Sequence, residues 1–245
     1  MLYAEQYAEK ETEMPSPTKI VYVNNTSREF QVEGVLTRAG LELTSEWDTS
    51  VRSVEIGEGV TEVSTGTFAG LCALTSISFP ASLSCVGAHS ISACAALGEV
   101  KFPRTVVSAG LDYYGIYGAG TYEYGTIAPV VECPALTRLD LGGIGGTRIQ
   151  FCVDGVYEGC RRLEELTCVG LSAPGYIENV PSTLRSVSVD NPAVKSLPDG
   201  YGNDGAILVD LSAHELIFLA PATKALDLRQ LNAQVSAIRS WVYSD

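Results

Sequence analysis

Leu74-Thr75-Ser76-Ile77-Ser78-Phe79-Pro80 is answered by Leu97-Gly98-Glu99-Val100-Lys101-Phe102-Pro103: every apolar position and the proline recur at the same offset. One equal step back from Leu74 reaches Val51-Arg52-Ser53-Val54-Glu55-Ile56, which has the same shape. Self-similarity at a fixed spacing of this size marks a repeat architecture. Within each window apolar and polar residues alternate, the period of a strand with one buried face. So short a strand cannot bury that face alone, so successive coils must stack side by side around a shared core.

The same apolar pattern continues as Leu136-Leu139-Leu141, Leu163-Leu166-Cys168 and Leu184-Val187-Val189. A second half-motif follows the early windows, Val60-x-x-Val63 recurring as Leu83-x-x-Val86, with Phe68 answered by Ile91 further on. Val235-x-x-Ile238 with Tyr243 keeps these offsets and suggests a last coil, six or seven in all. Cys94, Cys133 and Cys160 each stand three positions before the leading leucine of the next window. They share one repeat position, and a small, weakly polar thiol suits an inward slot that stacks coil on coil.

The pattern L-x-x-I-x-I-P followed by V-x-x-I-x-x-x-A-F-x-x-C-x-x-L resembles the BspA-like leucine-rich repeat. Val60-Thr-Glu-Val63 through Phe68-Ala-Gly-Leu71 fits it with Leu71 in the cysteine slot, and Val156-Tyr157-Glu-Gly-Cys160-Arg-Arg-Leu163 fits it closely. Asp204-Gly-Ala-Ile-Leu208 through Glu215-Leu-Ile-Phe-Leu-Ala-Pro221 resembles an interruption of that family, a hairpin before a Leu-Ile-aromatic-x-x-Pro segment. The resemblance runs over residues 51 to 243. It departs in spacing: the early windows keep one step, but the step from Leu97 to Leu136 is much longer and the later ones are unequal. The expected fold is a leucine-rich-repeat solenoid. It is mainly β, with one parallel sheet, turns and short helical pieces on the return side, and irregular later coils.

The expected organisation has a mobile segment at residues 1–17, an N-terminal cap at 18–50 and the solenoid at 51–245. The cap would use Ile20-Val21-Tyr22-Val23 as a strand and Trp47 as a cover. Trp241 and Tyr243 would close the far end, and insertions are expected near 111–128 and 198–224. The first residues are acidic and polar, and no signal peptide is visible in them. No apolar run has the roughly 18 residues of a membrane span.

The net charge of −13 repels phosphate backbones and argues against nucleic acid as a partner. Seven cysteines cannot all pair within the chain, there are only two histidines, and no C-x-x-C occurs, so zinc-ligand spacings are missing. No metal and no cofactor is expected. Gly142-Gly-Ile-Gly-Gly146 lacks the spacing of a phosphate loop and reads as a coil turn. Asn203-Asp204-Gly205 reads as a hairpin turn. Asn24-Asn25-Thr26 contains a glycan acceptor pattern. Neither His89 nor His214 comes with a nucleophile-elbow motif, and no catalytic residue is assigned.

Two surfaces are candidates for binding. The outward residues of the strand windows form polar ladders: Ser53 and Glu55, Ser76 and Ser78, Glu99 and Lys101, Arg138 and Asp140, Glu165 and Thr167, Ser186 and Ser188. Aromatic and arginine anchors dominate interface energies, and Arg138 is the single one here. Otherwise the face reads as solvated. The second surface is the stretch that lengthens the coil between Leu97 and Leu136, holding Tyr113, Tyr114, Tyr117, Tyr122 and Tyr124 among glycines. That mixture suits a binding loop, and it also suits a hairpin lid whose rings pack back on the solenoid.

The resemblance implies a non-catalytic protein-interaction or adhesion module of a surface or secreted protein, with a protein or glycoprotein partner that is host-derived in several such proteins. The alternatives are a structural spacer without a ligand of its own, and a parallel β-helix enzyme acting on polysaccharide.

Overall fold

The computed structural model describes residues 15–44, 48–109, 111–113, 125–127, 129–146, 149–150, 160–168, 170–171, 177–178, 181–190, 192–198, 205–213, 215–223 and 235–238. It is a β-solenoid of about four turns with parallel strands and almost no helix. All six strand windows lie on one side of the coil. Strands β4 (Val51–Glu55) and β6 (Ser76–Ser78) pair in parallel with Val54 opposite Ile77, the register that the repeat sets. Strands β9 (Glu99–Lys101), β14 (Arg138–Asp140), β17 (Glu165–Cys168) and β20 (Ser186–Val189) pair in parallel through Val100, Leu139, Leu166 and Val187. The front is thus two parallel groups, not one sheet. Phe79 and Phe102 bridge them, ring centroids 4.9 Å apart and tilted by 48°. A tilted pair at this distance suits the charge distribution of two aromatic rings.

The return limb differs from the expectation of turns and short helical pieces. It is a second parallel sheet of β3 (Gly34–Leu36), β5 (Val60–Val63), β7 (Cys85–Val86) and β10 (Ser108–Ala109). A third side follows, where β8 (Ile91–Ser92) pairs in parallel with β13 (Val130–Val131). Phe68 and Gly70 donate their amides to the carbonyls of Ser90 and Ser92, both at 2.8 Å, and so extend that side by one coil. Among the described residues helix is confined to a 3-10 turn at Ala39–Leu41, before the first coil, and to 3-10 backbone at Cys160. The physical reason lies in the residues. Val60, Val63 and Val86 are β-branched and spaced for a pleated strand, and β-branching costs side-chain freedom in a helix.

The core runs unbroken through the stack. Leu74, Leu97, Leu136, Leu163 and Leu184 line one column, and Leu83, Val106, Phe68, Ile91 and Val130 line the other sides, all fully buried. Each leading leucine closes the same tight turn. The amides of Leu74, Leu97, Leu136 and Leu163 donate to the carbonyls of Leu71, Cys94, Cys133 and Cys160, at 3.0 to 3.3 Å. Gly87, Gly142 and Gly143 let coils touch, since a Cβ at each would fall 2.3 to 2.4 Å from backbone atoms of the previous coil.

At the front end β1 (Thr18–Tyr22) pairs antiparallel with β4 on one side and with β2 (Ser27–Phe30) on the other. Ile20 is buried, so this hairpin covers the core at the edge of the stack. Trp47, Trp241 and Tyr243 lie outside the described residues. At the far end β21 (Val194–Leu197), β22 (Ile207–Asp210) and β23 (Glu215–Leu219) form an antiparallel meander, with β24 (Ala237–Ile238) parallel to β23. The lengthened coil opens between β10 and β13 into an antiparallel hairpin of β11 (Leu111–Tyr113) and β12 (Gly125–Ile127). Two further parallel pairs complete the later coils: β15 (Gly145–Gly146) with β18 (Gly170–Leu171), and β16 (Ile149–Gln150) with β19 (Ile177–Glu178).

Candidate binding surface

The front strands place their outward residues in register. Arg138 stands opposite Glu99 on one neighbour and Glu165 on the other, and Asp140 stands between Lys101 and Thr167. At the other end Lys19 stands opposite Glu55, and Ser53 opposite Ser76. Opposite charges on facing strands attract, and each such pair contributes a few tenths to about 1 kcal/mol. Arg138 Nε lies 3.1 Å from Glu165 Oε2, with the two side chains 59% and 53% exposed. Arg104 Nη1 lies 3.3 Å from Asp140 Oδ1 and donates to the Gly142 carbonyl at 2.9 Å. Arg185 faces Glu164 at 3.7 Å. The charges of this face are therefore largely matched to one another across the strands.

The tyrosine-rich stretch is rooted in the β11–β12 hairpin, where Tyr113 is opposite Gly125. Tyr114, Tyr117, Tyr122 and Tyr124 lie outside the described residues. In the preceding coil the chain passes from Val86 to Ile91 by a short corner, whereas in this coil the same step runs from Ala109 to Val130. The added chain enters at that corner and leaves both flanking strands in register with their neighbours.

The cysteine column is buried beneath these surfaces. Cys94, Cys133 and Cys160 are fully buried free thiols. The Cys94 thiol donates to the Phe68 carbonyl at 3.2 Å, the Cys133 thiol to the Val131 carbonyl at 3.3 Å, and the Cys133 amide to Cys160 Sγ at 3.4 Å. The contact with Cys160 favours the Cys133 thiolate, but Cys94 and burial outweigh it, and Cys133 is pushed up to about 12. Contact with Cys133, then burial, raises Cys160, and burial raises Cys168. Thiols held protonated are poor nucleophiles and poor metal ligands. Among the described residues no cluster of histidine, cysteine or carboxylate side chains is arranged to hold a metal ion.

His89 sits half-buried in a left-handed turn, φ 51°, and His214 lies outside the described residues. Gly142 holds φ +63° and lies against the previous coil, so the glycine-rich stretch begins as a packed coil turn. The sequence patterns missed a set of hydroxyls that tie coil to coil. Thr75 and Ser84 donate to the carbonyls of Arg52 and Thr61, each one repeat back, at 3.0 and 3.1 Å. Thr137 donates to Gly98 at 3.1 Å, and Thr183 to Leu163 at 2.7 Å. Only Thr or Ser recurring just after a leading leucine, or one position before it, signals them. No helix among the described residues is long and apolar enough to cross a membrane. Compared with models of protein families, with curated proteins and with solved structures, the chain matches none.

Proposed function

We propose that the chain is a non-catalytic protein-interaction or adhesion module of a surface or secreted protein, and that its coils are of the BspA-like leucine-rich-repeat kind. The observation that carries the binding role is the corner insertion of the third coil. It adds chain without disturbing the register of β10 or β13, and it brings tyrosines and glycines together in one stretch. Residues that serve the core are constrained by the stack, whereas this stretch is not needed to continue it. Tyrosine supplies large contact area at low entropy cost. The partner is a protein or glycoprotein, and Arg138, on the separate front face, is a second candidate contact.

The test replaces Tyr113, Tyr114, Tyr117, Tyr122 and Tyr124 by serine and measures melting point and capture of partners from extracellular-matrix extracts. Lost capture at an unchanged melting point supports the site. A large fall in melting point places the rings in a lid instead, and no capture by the parent chain favours a spacer. A second reading, a parallel β-helix enzyme acting on polysaccharide, is favoured by the short parallel strands that line three sides of the middle coils. Reproducible polysaccharide turnover by the purified chain would establish that reading in place of the first.

A further inference from the structure

The hairpin between β1 and β2 carries two overlapping acceptor patterns for an N-linked glycan, Asn24-Asn25-Thr26 and Asn25-Thr26-Ser27. The structure gives the two asparagines different work. The Asn25 amide donates to the Tyr22 carbonyl and the Tyr22 amide to the Thr26 carbonyl, both at 2.9 Å, closing a tight hairpin loop. Such a loop needs its last residue in the left-handed region, and Asn25 takes it with φ 66°. Its Oδ1 accepts from Arg52 Nη1 at 2.6 Å, a distant contact in sequence that ties the hairpin to the first coil.

Among the described residues Asn24 is bound to its own acceptor pattern. Its Oδ1 accepts the Thr26 amide at 3.0 Å and the Thr26 hydroxyl at 2.7 Å. A backbone N–H can only donate, so the oxygen must face Thr26 and Nδ2 must face away. Val23 to Ser27 are all exposed. The acceptor nitrogen, its carbonyl and the hydroxyl two positions on are therefore assembled by local contacts alone.

We propose that Asn24, and not Asn25, is the site of an N-linked glycan, a bulky polar group placed at the exposed front end of the solenoid. The donor is a lipid-linked oligosaccharide pyrophosphate. The sugar C1–Nδ2 bond forms as the C1–O bond to pyrophosphate breaks, the lipid pyrophosphate leaves with the electron pair, and the amide gives up one proton. Use of the site in the cell rests on the surface-or-secreted reading, because the transfer takes place on a secretory route. The chemistry itself is tested apart from it. The purified chain is incubated with an oligosaccharyltransferase that requires only Asn-x-Ser/Thr and with its lipid-linked donor, and glycopeptides are mapped by mass spectrometry. Thr26→Val removes only the Asn24 pattern and Ser27→Ala only the Asn25 pattern. The expected result is a glycan on Asn24 that persists in Ser27→Ala and is lost in Thr26→Val. A glycan on Asn25, or none in the parent chain, overturns the proposal, and either result leaves the partner-binding test untouched.

Discussion

Two glycines separate the cost of a left-handed backbone from the cost of pushing coils apart. Gly66 and Gly142 have nearly the same φ, +68° and +63°. An added Cβ at Gly66 meets nothing within 4 Å, whereas at Gly142 it falls 2.3 Å from the Pro103 carbonyl oxygen and 3.0 Å from that of Phe102. Gly66→Ala and Gly142→Ala both incur the left-handed penalty, about 1–2 kcal/mol. Only Gly142→Ala must also move one coil against the next, by about 1 Å to reach ordinary contact, and overpacking of this kind costs about 1–3 kcal/mol. Gly142→Ala is therefore less stable than Gly66→Ala by about that second amount. For a chain of this size the gap corresponds to a melting point roughly 2–12 °C lower. Urea and thermal unfolding followed by circular dichroism measure it. Equal stability of the two variants would refute the claim that these coils are in direct backbone contact.

Three other outcomes follow from the buried thiols and the front face. In the native protein Cys94, Cys133 and Cys160 resist iodoacetamide at pH 8 while Cys72 and Cys85, which are partly exposed, react; peptide mapping reads the pattern, and equal labelling contradicts it. Because burial and contact hold Cys133 at about 12 against an ordinary 9.0, the unfolded chain loses its protons first. The stability this provides is complete below about pH 9 and is lost as the pH rises toward 12, so urea midpoints must fall across that window, and Cys133→Ala flattens the fall. Arg138→Ala costs under about 1 kcal/mol, since its pair with Glu165 is half exposed; a larger loss in urea unfolding would mean that Arg138 also supports the core.

The front of the solenoid is legible in the sequence because one periodicity sets it. Leu74, Leu97 and Leu136 stand at the head of windows whose alternation is that of strands, and each window is a strand in the expected register. Cysteine spacing locates a buried column for the same reason, since one slot recurs in every coil. The return limb is less legible. Cys85-Val86 and Ser108-Ala109 are strands too short to show a period, and their conformation comes from pairing with the coil before. The front also parts between β6 and β9, which no alternation of apolar residues records. Candidate sites are the least legible part. Arg138 reads from the sequence as an exposed anchor, yet the residues opposite it, Glu99 and Glu165, are set by registers across coils of unequal length.

The stacking of coils in register is tested most directly by a cross-link between Ser53 and Ser76, one repeat apart and directly opposite on β4 and β6. In the doubly substituted Ser53→Cys/Ser76→Cys chain, adjacent strands about 4.8 Å apart bring the new thiols within reach of dibromobimane. Peptide mapping is predicted to show the 53–76 bridge in high yield, and Ser53→Cys/Ser188→Cys, on the first and last of the front strands, to show none. A missing 53–76 bridge in folded protein, or a bridge between positions 53 and 188, would contradict the solenoid.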